Sequence, residues 1–171
     1  VSTPDISYRF TRKEDTDTYH ITQRFQTPLH PVLQINARKE KIRSVKVNDV
    51  PATWQSTESA HGYPLLSIQA EGTSSTTITI EWEGAPLHTL AAQELVIASN
   101  GKLALQIPSE ASISQVYDPQ CVLAKHTMGA TAFNAQIKGE PGHHTFFVYT
   151  HQGEMDWWQP VNIYIENTRK A

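Results

Sequence analysis

Apolar and polar positions alternate over short stretches of this chain. In 77–83, Ile78, Ile80 and Trp82 fall on one side, and Thr77, Thr79, Glu81 and Glu83 on the other. In 161–166, Val161, Ile163 and Ile165 alternate with Asn162, Tyr164 and Glu166. A period of two is that of a strand, whose successive side chains point to opposite faces. One-sided burial suits antiparallel sheets packed face to face. Val, Ile, Thr and aromatic residues concentrate in such runs, and Pro, Gly, Asn and Ser separate them. The runs predict strands over 6–11, 19–25, 32–36, 43–47, 65–70 and 76–82. Further on they predict 95–98, 102–107, 114–117, 121–124, 132–138, 144–150 and 161–166. Trp54 and Trp82, each closing such a run, are expected in the core.

The runs recur. Leu33-Gln34-Ile35 has a counterpart in Leu105-Gln106-Ile107, and Val47-Asn48-Asp49 in Val116-Tyr117-Asp118. The stretch 66–72 is echoed by 133–139, and 77–80 by 145–148. A unit of short strands used twice predicts an all-β, antiparallel, Ig-like β-sandwich, as two tandem related units. The expected units are 1–84 and 95–171, joined over 85–94; a single sandwich over 1–171 is the alternative. The joining stretch is the most helix-like, because Leu87, Leu90, Ala91 and Leu95 share a face at helical spacing. Asn100-Gly101 supplies the positive φ angles of a two-residue hairpin turn. Asn48-Asp49 is a weaker version of the same signal.

Composition narrows the reading. The chain has 171 residues, 39% of them hydrophobic and 18% charged, which is a folding composition. The single cysteine, Cys121, rules out an internal disulfide and sits in an apolar run that reads as buried and inert. A net charge of −3 without a basic stripe argues against nucleic acid as a partner. No apolar run reaches the length of a membrane-spanning helix, so no membrane insertion is expected. The opening Val1-Ser2-Thr3-Pro4 reads as the edge of a longer protein.

Candidate chemistry is sparse. His143, His144 and His151 are the tightest of the eight histidines. On one strand His143 and His144 face opposite sides, and His143 and His151 lie roughly 26 Å apart. A zinc ion holds its ligands at about 2 Å, so no metal or other cofactor is expected. Glu81 with Glu83, and Glu154 with Asp156, are paired carboxylates. Neither is set across a space for a scissile bond, and no catalytic residue is assigned. The richest segment is 153–160, with Trp157 and Trp158 side by side. In extended chain the two cannot both face a core. An exposed indole stacks on the apolar face of a pyranose while amides and carboxylates take its hydroxyls. The candidate ligand-binding residues are therefore Trp157, Trp158, Asp156, Gln159 and Tyr164, with a poly- or oligosaccharide as the expected partner. His61 and Tyr63 form a second loop candidate.

The strings 42–52, 62–68 and 76–82 resemble accessory β-sandwich modules of large bacterial carbohydrate-active proteins of the Bacteroidetes type. In these a Val-x-Val-Asn-Gly hairpin precedes paired strands ending in Trp or Tyr. Here Val45-Lys46-Val47-Asn48-Asp49 carries Asp in place of Gly, and Trp82 ends the later strand. The resemblance covers about residues 32–84 and transfers no catalytic residue. It implies an extracytoplasmic module beside a catalytic domain, and the function expected is non-catalytic support of that domain, with glycan binding at Trp157 and Trp158 as an optional addition. The alternatives are a purely structural or protein-interaction domain and a small hydrolase working through paired carboxylates.

Overall fold

The computed structural model describes residues 5–89 and 94–167. The chain forms two compact units, Val1–Thr57 with Leu65–Leu87, and Glu58–Pro64 with His88–Ala171. The short segment Glu58–Pro64 thus packs with the second unit although the strands around it belong to the first.

The first unit contains β1 (Ile6–Lys13), β2 (Thr16–Gln23), β3 (Val32–Asn36), β4 (Lys39–Val47), β5 (Val50–Pro51), β6 (Gln55–Ser56), β7 (Leu65–Gln69) and β8 (Ser75–Pro86). One sheet has the order β1-β2-β8-β4-β5 and the other β3-β7-β6. Leu66, Ile68, Ile78, Ile80 and Trp82 are buried between them, on the alternation expected of one-sided strands. Trp54 is only half-buried and outside any strand, which corrects its assignment to the core.

This unit holds a buried charge. Asp17 is 1% exposed. Its carboxylate accepts from Arg12 Nε at 2.7 Å, Arg12 Nη2 at 3.1 Å and the Trp82 indole Nε1 at 3.0 Å. Arg38 Nε lies 3.5 Å from it. An ionised carboxylate leaves water only when charges and donors surround it, and here two guanidinium groups and an indole do so. The same contacts tie the β1–β2 hairpin to β8, where the Trp82 N–H donates to the Asp15 carbonyl at 2.8 Å.

The second unit contains β9 (Leu95–Ala98), β10 (Lys102–Gln106), β11 (Ser112–Tyr117), β12 (Leu123–Met128), β13 (Ala132–Ile137), β14 (Gly142–Gln152) and β15 (Met155–Glu166). Its sheets are β10-β13-β12 and β11-β14-β15-β9. The second, fourth and fifth strands thus form one sheet, and the third, sixth and seventh the other. That is the immunoglobulin arrangement, with the first strand moved to the larger sheet, where it pairs parallel to the last. Phe133, Ile137, Phe146, Val148, Ile163 and Ile165 fill the interior.

The sequence repeat falls on strands with equivalent places. β7 and β13 are each the centre of the smaller sheet, and β8 and β14 are each interior to the larger. Leu66 and Phe133 are both fully buried, as are Ile78 and Phe146. β2 lies antiparallel beside β8 as β15 lies beside β14. The first unit therefore fills from its N-terminal end the slot that the second fills with its last strand, and β1 and β2 fall outside the repeat.

Three local expectations need correction. Asn100 does adopt a φ of 62° in a tight turn closed by Gly101 N–H on the Ala98 carbonyl. The turn makes no hairpin, because β9 pairs with β15 and β10 with β13. Asn48 and Asp49, with φ of 50° and 65°, form the type I′ hairpin instead, between β4 and β5. Cys121 is exposed with a φ of 54°, in a turn whose following N–H groups the Asp118 carboxylate caps. Of the helix-like stretch, Leu90 and Ala91 lie outside the described residues; Leu87 follows β8 and Leu95 begins β9.

Candidate functional site: the outer face of the β14–β15 hairpin

β14 and β15 form one long antiparallel ribbon, paired from Gly142 with Ile165 to Gln152 with Met155. The 153–160 segment is thus not a loop between strands; most of it is strand, and Gly153 with a φ of 60° makes the turn. Alternation then divides the predicted residues. Trp157 and Gln159 point inward and are 0% and 4% exposed. Trp157 Nε1 donates to Gln159 Oε1 at 3.2 Å, and Gln159 Nε2 to the Pro160 carbonyl at 3.2 Å. Both are withdrawn from any ligand, which corrects their assignment as glycan contacts. Asp156, Trp158 and Tyr164 lie on the opposite, outward face and are half-buried.

Cross-strand register builds that face pair by pair. His151 stands opposite Asp156, Tyr149 opposite Trp158, Phe147 opposite Pro160, Thr145 opposite Asn162 and His143 opposite Tyr164. On β11, Tyr117 stands opposite Phe147. The centre is aromatic. The Tyr149 and Trp158 rings are 4.9 Å apart, Tyr117 and Phe147 are stacked at 6.2 Å, and Tyr117 meets Trp158 edge-on at 6.3 Å. These are the offset and edge-on arrangements that aromatic quadrupoles favour. Tyr117 is 57% exposed.

Polar groups flank the rings. His151 Nδ1 and Asp156 Oδ1 are 2.6 Å apart at the hairpin end. Further along, the Thr145 hydroxyl donates to Asn162 Oδ1 at 2.8 Å, and His143 reaches Glu94. Burial pushes the Tyr149 phenol pKa up, and Asp156 and Glu58 add to the shift. As a neutral hydroxyl the phenol can donate as well as accept.

The backbone of Ala60–Gly62 continues the sheet on the free side of β15. The Trp158 N–H donates to the Ala60 carbonyl and the Gly62 N–H to the Trp158 carbonyl, both at 2.8 Å. This clamp holds Trp158 along the edge of β15 that faces away from β14. It also brings the His61 ring to 5.4 Å from Phe147, edge-on. His61 thus joins the face, whereas Tyr63 is 48% exposed and has no ring contact among the described residues.

Phe147, Tyr149 and Tyr117 were missed as site residues in the sequence. Their signal was present: in 144–150 the inward positions are Phe146, Val148 and Thr150, so Phe147 and Tyr149 place aromatic rings where alternation calls for polar ones. The carboxylate pairs stay apart from this centre, apart from Asp156. Glu83 lies 3.8 Å from both Lys41 and Arg43 in the first unit. Among the described residues no three metal-ligating side chains come together, and no helix is long and apolar enough to cross a membrane.

No family model and no curated protein matches the chain. A solved structure titled "Tandem Ig repeats of Dlar" is similar to it at 10% identity, covering 93% of this chain and 97% of that one, with a TM-score of 0.31. A likeness that loose supports no inference about function.

Proposed function

We propose that this chain is a non-catalytic β-sandwich module of an extracytoplasmic carbohydrate-processing protein, and that the outer face of the β14–β15 hairpin binds glycan. One observation carries this reading. Trp158, Tyr149, Phe147 and Tyr117 form a contiguous, half-open aromatic surface with donors and acceptors at both ends. Sugar rings need both: an aromatic plane for their C–H face and polar groups for their hydroxyls. The ring geometry is fixed by the sheet and by the Ala60–Gly62 clamp, so little ordering entropy remains to be lost on binding. Trp158 and Tyr149 are the stacking residues, with Asp156, His151 and Asn162 as hydroxyl partners.

The test is a titration of intrinsic tryptophan fluorescence with a panel of plant and host polysaccharides, repeated on Trp158→Ala and Tyr149→Ala. A saturable change lost in both variants, with circular dichroism unchanged, supports the reading. A response that survives in both variants places the site elsewhere.

A further inference from the structure

β1 is an edge strand of unusual openness. All eight of its residues are exposed, and its pairing with β2 runs in unbroken register from Ile6 with Gln23 to Lys13 with Thr16. Exposed edges are normally shortened, bulged or covered, because their unpaired N–H and C=O groups invite another strand. Among the described residues β1 is neither short nor bulged, and its guard is charge: Arg9, Arg12 and Lys13 repel a like-charged strand and leave the edge open to an acidic one. The direction of the free groups follows from the ladder. The Arg24 N–H donates to the Asp5 carbonyl at 2.8 Å, and hydrogen-bonded pairs alternate along an antiparallel pair. Ser7, Arg9, Thr11 and Lys13 therefore bond to β2, and Ile6, Tyr8, Phe10 and Arg12 turn their N–H and C=O groups outward.

The two faces of the edge differ. Ile6, Tyr8 and Phe10, on one face, are 53%, 72% and 40% exposed. A groove of about 690 Å³ opens there between the first sheet and β3, lined by Ile6, Tyr8, Tyr19, Ile21, Val32 and Leu33. β3 is itself the outer strand of the smaller sheet, with Val32 54% exposed. The other face carries Arg9 and Lys13, which have no acidic partner among the described residues. Arg12 is held by Asp17.

We propose that the β1 edge docks an extended segment of a partner protein whose side chains alternate apolar and acidic. The segment adds a strand to the first sheet through backbone hydrogen bonds. Its apolar residues enter the groove beside Tyr8 and Val32, and its acidic residues meet Arg9 and Lys13. Strand addition draws affinity from the main chain and specificity from alternate side chains. Charge selects the occupant. A second copy would set two basic β1 strands against each other, a repulsive pairing, whereas an acidic strand is attracted.

The experiment is fluorescence anisotropy of labelled eight-residue peptides of alternating Val and Glu, with a Val and Lys peptide as control. Saturable binding of the acidic peptide at least tenfold tighter than the basic one is expected. Tyr8→Pro removes an outward N–H that makes no bond to β2 and is expected to weaken binding at least tenfold; Tyr8→Ala keeps the N–H and loses less. Arg9→Glu with Lys13→Glu reverses the preference. Circular dichroism checks the fold of each variant. Equal binding of both peptides, no binding, or equal effects of Tyr8→Pro and Tyr8→Ala overturns the proposal. Concentration-dependent self-association that Tyr8→Pro abolishes also overturns it, in favour of a second copy.

Discussion

Replacing Asp17 by Ala removes one carboxylate and leaves several groups unanswered. The Trp82 indole N–H loses its 3.0 Å acceptor inside the core, where Trp82 is 1% exposed. A buried unsatisfied donor costs about 1–3 kcal/mol. Arg38 Nε, buried and without a hydrogen bond, loses the opposite charge 3.5 Å away. Breaking a fully buried pair costs about 3–5 kcal/mol. Here the arginine side chains are 50% and 25% exposed, for Arg12 and Arg38, and can turn partly to water. The lower end applies, about 3 kcal/mol in total. For a unit of this size that is a fall in melting temperature of roughly 12–24 °C. Asp17→Asn keeps a carbonyl acceptor and loses the charge, so it falls between. Because the chain has two units, bulk unfolding mixes two transitions, and hydrogen exchange read by mass spectrometry on peptic fragments separates them. Fragments covering β1, β2 and β8 lose protection in Asp17→Ala, while those covering β13–β15 keep it. A change below about 1 kcal/mol in the β8 fragment would refute the claim that Asp17 holds this corner together.

Trp157→Ala empties a fully buried site and costs about 3–5 kcal/mol in urea denaturation, whereas Trp158→Ala, on the half-open face, costs less than half as much; equal costs would contradict the assignment of faces. Burial raises the phenol pKa of Tyr19 and of Tyr149. A raised folded value means that their contribution is intact below the unfolded value of about 10 and is lost as pH climbs through the folded one. Absorbance at 295 nm should show these two ionising above the ordinary phenol value of about 10, and Tyr149→Phe should remove one late step. Asp15 is the acidic counterpart: its hydrogen bond to Lys39 pulls its carboxyl pKa down. Its stabilisation is present above the unfolded value and is lost as pH falls through the folded one, and Lys39→Met should reduce that pH dependence in thermal melts, with Arg38 and Arg43 left to keep a smaller part. Asp49→Gly relieves a non-glycine φ of 65° in the type I′ turn and should stabilise the first unit by about 0.5–1 kcal/mol.

The fold was legible because burial in a sheet writes itself with a period of two. Ile78, Ile80 and Trp82, and Val161, Ile163 and Ile165, are buried as the alternation requires. What local pattern does not carry is pairing. Asn100-Gly101 forms its turn, yet β9 leaves it to lie parallel to β15, because that choice is made by burial of Ile97 against a core assembled from distant strands. The site was half legible for the same reason. Two adjacent tryptophans announce that one faces out, but register with β14 decides which. Register also brings Phe147, Tyr149 and Tyr117 beside Trp158, and no spacing in the chain states it. The buried Asp17 gave no warning either, since its partners Arg38 and Trp82 are far from it in sequence.

The most direct test of the proposed role is nuclear magnetic resonance of the folded chain titrated with an oligosaccharide drawn from whichever polysaccharide quenches its fluorescence. Each of the four tryptophan indole N–H groups gives its own signal. The account predicts a saturable shift of the Trp158 indole and of the backbone amides of Phe147, Tyr149 and Tyr117, with the Trp82 and Trp157 indoles unmoved. Shifts confined to other residues, or no shift with any oligosaccharide, would contradict glycan binding on this face.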